Sequence, residues 1–419
     1  MKFHLFITGC QYNYYDATKI TRLLTKMGYL YTKNETDADM IIVLACSVRQ
    51  KPMDRIYGKI KVWKQSKKNP KIVVVGCVLP RDRKNLQSKD IEITSIDEFE
   101  DVILSVPVKQ EVEGSRQECH SREGGNLVSG SPTCLPAGRR RYDYIRLEDD
   151  NQKKLSEFTP SEAKPDTAYI PIMQGCNNFC TYCAVPYTRG REMSRDIKEI
   201  IDEIKNELAK GKKHIVLLGQ NVNSYQLANN EFNESTNKTA RSHPEQSARL
   251  DSHQARQEGS LSKNAFANLL KKIDNTPGDF DYNFMSSNPR NFSNELIETL
   301  PKLNKWERVL HLPMQSGNDE ILTKMNRGYT SKKYLSIISN LKFNILNLLF
   351  TTDIIVGFPG ETKKQFGDTV KFCKKIGFNR AFVNQYSPRV GTVAAKMEDY
   401  VPRAEKKRRW TVLNDLINK

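Results

Sequence analysis

Three cysteines, Cys176, Cys180 and Cys183, stand in a C-x3-C-x2-C pattern inside the stretch Gln174 to Arg191. The stretch follows an apolar run, Tyr169 to Met173, that reads as a buried strand. Clustered thiolates are metal ligands, and three of them are an incomplete set, because a [4Fe-4S] cube has four irons and takes four ligands. Three on one short loop leave one iron open, and an open position is what catalytic metal sites keep. Half of a structural zinc site is the alternative. Such a site needs a fourth Cys or His at short spacing, and none follows before His214.

A second set of cysteines is spread through the N-terminal part of the chain. Phe3 to Ile7 runs toward Cys10, Met40 to Leu44 toward Cys46, and Lys71 to Val75 toward Cys77. Helical patterns lie between them: Ile20, Leu23, Leu24 and Met27, then Ile56, Ile60 and Trp63. Strand and helix in alternation imply a parallel sheet with right-handed crossovers. Ligands bind such sheets at the carboxyl edge, and neighbouring strands lie about 4.8 Å apart. Cys10, Cys46 and Cys77 are therefore expected to converge and hold a second [4Fe-4S] cluster with an open iron. Three buried core cysteines are the alternative. A cysteine at the same place past each of three successive strands favours the cluster.

From Asp166 to about Ala395 the alternation resumes. Six strand-like runs, Tyr169 to Met173, His214 to Gly219, Phe280 to Met285, Val309 to Met314, Thr352 to Val356 and Arg380 to Tyr386, are separated by helical patterns such as Ile197 to Leu208, Leu296 to Leu303 and Phe366 to Ile376. The fold class is α/β: an N-terminal parallel sheet domain plus a partial (β/α)6 barrel, whose site belongs at the carboxyl ends of its strands. Cys373 shares a helical face with Phe366, Val370 and Ile376 and reads as core. Residues 110–142 and 229–262 are polar and aperiodic, and read as flexible insertions. Cys119, His120, Cys134, His243 and His253 within them have no ligand spacing, and the run Arg139 to Arg141 reads as solvated, with RNA phosphates as the other use. The expected division is 1–109 for the sheet domain, 110–165 for insertion and linker, 166–395 for the barrel and 396–419 for a C-terminal helix.

Composition narrows the function classes. The chain has 419 residues, ample for more than one domain, and a formal charge of +17, which favours a polyanionic partner such as nucleic acid. Nine cysteines, an odd number, without a secretory signal argue for metal or redox chemistry over a disulfide framework. No apolar run is long enough to span a bilayer. With no signal pattern at the N-terminus, the expected location is the cytoplasm.

The cysteine loop, with Tyr182 before its last cysteine, resembles the signature of the radical S-adenosylmethionine enzymes. The N-terminal words Gly9 to Asn13 with Asp16, Cys46 to Arg49, and Gly76-Cys77 are similar to the first domain of the methylthiotransferases within that superfamily. Further agreement comes from Gly219 to Tyr225, His311 to Gly317, Met325 to Thr330, Asp353 to Glu361 and Tyr386 to Thr392. Departures are Leu44-Ala45 before the second cysteine, where the family usually has Asn-Thr, Pro80 in place of Gln, and Asn288 in place of His.

The resemblance implies two [4Fe-4S] clusters, on Cys10, Cys46, Cys77 and on Cys176, Cys180, Cys183. The latter three would be the catalytic set. It further implies S-adenosylmethionine contacts at Tyr182, Gly219, Gln220, Asn221 and Gln315. Gly175 to Cys183 and Gly219 to Tyr225 look most like the branch that makes 2-methylthio-N(6)-dimethylallyladenosine in a tRNA anticodon loop. Alternatives are a branch acting on threonylcarbamoyl-adenosine or a ribosomal-protein aspartate, or a noncatalytic iron-sulfur or RNA-binding relative. An electron donor such as flavodoxin or ferredoxin, no membrane, and a monomer are also expected. In relatives the segment resembling Val401 to Arg409 leads to a small β-barrel, TRAM, expected to be absent here, with the basic run Lys406 to Arg409 helping to grip tRNA.

Overall fold

A computed structural model describes residues 1–9, 11–47, 50–96, 98–104, 166–226 and 264–419. Cys10, Cys119, Cys134, His120, Arg139 to Arg141, His243, His253 and both expected insertions lie outside the described residues.

The N-terminal sheet has five parallel strands: β1 (Lys2–Ile7), β2 (Leu30–Tyr31), β3 (Met40–Cys46), β4 (Lys71–Cys77) and β5 (Glu92–Thr94), in the order β2-β1-β3-β4-β5. Sequence reading finds the three central strands and misses β2 and β5, which are too short to show a period. Every residue of β3 is buried because successive side chains enter opposite layers. Met40, Ile42 and Leu44 meet Ala17, Ile20 and Leu24 of the helix Gln11–Lys26, while Ile41 and Val43 meet Met53, Ile56, Ile60 and Trp63 of the helix Gln50–Lys64. Helices on both faces are what an all-parallel sheet requires.

The second unit has two three-stranded parallel sheets. The first is β6 (Thr167–Pro171), β9 (His214–Leu218) and β10 (Asp281–Phe284); the second is β11 (Val309–His311), β12 (Leu349–Val356) and β13 (Arg380–Gln385). A bridge between Tyr282 and Trp306 joins them, with Tyr282 N–H donating to Lys305 O at 2.9 Å and Glu307 N–H to Tyr282 O at 3.1 Å. The result is the expected open array of six parallel strands around one apolar core that includes Ile170, Leu217, Phe284, Leu310 and Ile354. Cys373 belongs to this core at 2% exposure, and burial pushes its thiol up to about 12.

Two expectations are corrected. The run Tyr169 to Met173 is not one strand: β6 ends at Pro171, and Met173–Gln174 forms β7, antiparallel to β8 (Met193–Ser194). The run Lys406 to Arg409 is open only at Lys407 and Arg408. Lys406 and Arg409 are buried, Lys406 pairs with Asp399, and Arg409 pairs with Glu361 at 2.7 Å and Glu405 at 2.8 Å. The helix Arg403–Asn418 that carries them covers the edge of β13, where Trp410 Nε1–H donates to Val383 O and Asn418 exchanges two bonds with Ala381. A covered edge strand does not recruit other chains. No described helix is long and apolar enough to cross a membrane.

Candidate active site

The pair β7 and β8 closes the base of the loop that carries Cys176, Cys180 and Cys183. Gly175 has φ +79°, and a Cβ there would stand 1.9 Å from Arg191 O, so only glycine fits this crossing. Asn326 Nδ2 donates to Asn178 O and Phe179 O, Thr181 donates to Met325 O and Lys324 O, and Ala394 N–H donates to Thr181 O. The loop is thus held on one side by Lys324 to Asn326 and on the other by the turn after β13.

Burial shapes the chemistry of the thiols. Cys176 and Cys180 are under a tenth exposed. Desolvation pushes Cys176 up to about 11 and Cys183 up to about 12, and neighbouring sulfurs add to both shifts. Three thiolates crowded into such a place need a cation to hold them, which is the role of a metal cluster. Arg327 Nη1–H donates to Cys180 Sγ at 3.3 Å, and Asn178 Nδ2–H to Cys176 Sγ at 3.6 Å. The zinc alternative loses its nearest histidine: His214 opens β9 at the opposite end of the strands and bonds Asp281 at 2.6 Å.

Around the mouth of the barrel, buried polar atoms lack protein partners among the described residues: Gln220 Oε1 and Asn221 Oδ1 after β9, Ser287 Oγ after β10, Gln315 Oε1 after β11 and the Tyr386 hydroxyl after β13. All follow carboxyl ends of strands, on the side of the cysteine loop. A protein does not bury unpaired polar atoms without return, and a ligand with both donors and acceptors, such as S-adenosylmethionine, fits them. Gln315 is held at φ +66° by Gln315 N–H to Asp353 O and Ile355 N–H to Gln315 O. Gly219 packs on Met173, where a Cβ would come to 2.7 Å of its side chain. Tyr182 packs with Ile321, Met325, Phe358 and Tyr386, so its ring braces the loop.

In the N-terminal sheet Cys46 and Cys77 are register partners, the last residues of β3 and β4 rather than residues beyond them. Gly9, φ +101°, lies against Cys46, since a Cβ there would come within 2.3 Å of Cys46 Cβ. Asn13 Nδ2 donates to the carbonyls of Thr8, Leu44 and Ala45 and ties the ends of β1 and β3 together. Asn288 caps its own turn by accepting from Arg290 N–H, and its backbone exchanges two 2.8 Å bonds with Asn223, so the departure at this position is accommodated.

The barrel's cysteine loop is connected to the N-terminal sheet that carries Cys46 and Cys77. Arg189, at the end of the barrel loop, lies 4.1 Å over the ring of Tyr12, 3.4 Å from Asn13 Oδ1 and 3.8 Å from Asp16 Oδ2. Tyr12 donates to Met173 O at 3.1 Å. From the turn after β13, buried Arg389 faces Asp82, Cys46 and Asp54. Glu192 lies between Asn177 and Ser224, and burial pushes its carboxyl up to about 7. Sequence reading singled out none of Asn13, Arg189, Glu192, Arg327 or Arg389 by role. For all but Glu192, which directly follows the stretch ending at Arg191, the signal was a position inside glycine-containing loop words.

Residues 170–373 match the Radical SAM superfamily, and residues 2–96 match the uncharacterized protein family UPF0004. A tRNA-2-methylthio-N(6)-dimethylallyladenosine synthase of Clostridium botulinum is 35% identical over 98% of this chain and 80% of its own length. The enzyme of the same name from Thermoanaerobacter pseudethanolicus is 36% identical over 100% of this chain and 78% of its own. The chain belongs to the radical S-adenosylmethionine methylthiotransferase family. As a member, this methylthiotransferase is an enzyme whose cofactors are [4Fe-4S] clusters and S-adenosylmethionine. Its fold extends to distant solved structures. A radical S-adenosylmethionine methyltransferase, TsrM, from Kitasatospora setae is 12% identical with a TM-score of 0.55, covering 94% of this chain and 74% of that one. The cobalamin-dependent S-adenosylmethionine radical enzyme OxsB is 10% identical with a TM-score of 0.51, covering 99% and 55%.

Proposed function

We propose that this methylthiotransferase converts N(6)-dimethylallyladenosine next to the anticodon of tRNA to its 2-methylthio derivative. The observation that carries the reading is the match to synthases of that name along essentially the whole chain. The formal charge of +17 suits a tRNA substrate. An adenosine in a single-stranded loop can be unstacked to enter the barrel mouth.

Cys176, Cys180 and Cys183 are the proposed ligands of the catalytic cluster, and Cys10, Cys46 and Cys77 those of the second. An aromatic C–H has no acidic proton and no leaving group, and when bound the clusters and S-adenosylmethionine supply the radical and sulfur chemistry that replaces it. The chain's own residues bind and orient. Gly219, Gln220, Asn221 and Gln315 are proposed to hold S-adenosylmethionine, with Tyr182 bracing the cysteine loop beside it. Asn13 and Arg189 hold the two cysteine groups in one geometry. The division into 1–109, 110–165, 166–395 and 396–419 is proposed to stand, with reduction by flavodoxin or ferredoxin, action as a monomer and a cytoplasmic location.

The test is mass spectrometry of tRNA nucleosides from cells with and without this protein. Loss of 2-methylthio-N(6)-dimethylallyladenosine on deletion, with its unthiolated precursor accumulating, is the expected result. Loss of a 2-methylthio-threonylcarbamoyl nucleoside instead would assign the other tRNA branch, and an unchanged nucleoside profile would overturn the reading.

A further inference from the structure

Among the described residues, Arg327 is a buried cation without a carboxylate. The residue is 6% exposed. Nη1–H donates to Cys180 Sγ at 3.3 Å and Nη2–H to Pro313 O at 3.1 Å, while Nε has no partner among the described residues. The groups that face it electrostatically are Tyr182, Tyr329 and Cys180, and it has no ion pair among the described residues. Its guanidinium lies 5.4 Å from the Tyr329 ring centroid. By contrast Arg409, equally buried, has both Glu361 and Glu405.

A guanidinium stays protonated even when buried, so Arg327 cannot escape its desolvation cost by losing a proton. A buried charge is retained where an opposite charge compensates it. Neutral thiols and phenols do not. Three thiolates around a [4Fe-4S] core carry net negative charge and would compensate it, with Cys180 Sγ as the point of contact.

We propose that Arg327 is the internal counter-cation of the cluster on Cys176, Cys180 and Cys183 and raises its reduction potential. This rests on the assignment of those cysteines as cluster ligands. Reduction adds one electron from the external donor and makes the cluster more negative. A fixed positive charge stabilises that reduced form more than the oxidised one, and hydrogen bonds to cluster sulfur act in the same direction. No proton moves, because the guanidinium is charged before and after. The residue is a positioning and tuning group, and it acts through Cys180.

The test is a redox titration of the anaerobically reconstituted full chain, followed by electron paramagnetic resonance. The barrel cluster is identified by the change in its signal on adding S-adenosylmethionine. Wild type is compared with Arg327→Lys, Arg327→Gln and Arg327→Met, with iron measured for each. The neutral variants should be at least about tenfold harder to reduce, which for one electron is about 59 mV, while Arg327→Lys stays near wild type. Iron-loaded neutral variants that titrate with wild type would overturn the inference. Where the neutral variants fail to hold iron, retention by Arg327→Lys supports the charge, and equal loss in Arg327→Lys overturns it in favour of a purely geometric role. A wild-type chain that takes up no iron would overturn the ligand assignment itself, and this inference with it.

Discussion

The guanidinium of Arg189 meets Asn13 Oδ1 at 3.4 Å across the boundary between the barrel and the N-terminal sheet. Asn13 in turn holds the carbonyls of Thr8, Leu44 and Ala45, which precede Cys10 and Cys46 in the chain. One side chain therefore links the barrel's cysteine loop to the end of β3 that presents Cys46.

On the proposed assignment, cofactor cleavage needs only the barrel, whereas transfer needs both sites in register. Arg189→Ala should leave 5′-deoxyadenosine formation near wild type and lower methylthiolation by about 10²-fold, the cost of roughly 1 Å of misplacement. Single-turnover assays that quantify both products check this. Equal loss of both would assign Arg189 to the barrel alone.

Metal content follows from the two cysteine groups. Anaerobic reconstitution should give about eight irons per chain, two cubes of four. Replacing Cys46 and Cys77 by alanine should leave about four. Cys373→Ala should keep all of them and cost about 1–2 kcal/mol in stability, because that thiol fills core space between apolar neighbours.

Gln315 sits at a left-handed backbone position with its side-chain oxygen buried and without a partner among the described residues. Gln315→Gly should relieve strain of about 1 kcal/mol and leave the thermal midpoint unchanged or raised. The same change should weaken S-adenosylmethionine binding by about tenfold, the equivalent of one lost hydrogen bond of about 1.4 kcal/mol. Equilibrium binding to the reconstituted enzyme measures it; unchanged affinity would remove Gln315 from the cofactor site.

Arg409→Ala should be destabilising by about 3–5 kcal/mol at neutral pH, since it strands the buried carboxylate of Glu361. The loss should shrink in acid. Burial raises the Glu361 pKa even beside Arg409, so its protonated form is favoured in the fold. The stability tied to that proton is present below about pH 4.3, the unfolded value, and lost as pH rises through the folded pKa. Glu405 acts in the same direction on the variant. Hydrogen bonds from Arg408 and Arg409 lower it to about 2, so the stability it lends is present above the unfolded pKa and lost as pH falls. Removing Arg409 therefore costs most where both carboxylates are ionised. Thermal midpoints of wild type and variant at pH 5 and pH 8 should diverge as pH rises, and parallel shifts would refute the account.

The sequence by itself determined the strand and helix alternation, the C-x3-C-x2-C loop and the core role of Cys373, because each rests on local spacing or residue type. Apolar runs such as Met40 to Leu44 must be buried whatever they pack on, and three cysteines at C-x3-C-x2-C spacing must share one loop. Tertiary structure decided what distant loops do to one another. Cys46 faces Cys77 through strand register, which no local pattern encodes. Arginine in a sequence reads as an exposed charge, and the run Lys406 to Arg409 read as a basic grip for tRNA. Burial makes Arg409 an internal ion-pair partner, lays Arg189 against Tyr12 and Asn13, and brings Arg327 to Cys180 from 147 residues along the chain. A long flexible cation takes its meaning from the surface it is folded against, and only the folded chain supplies that surface.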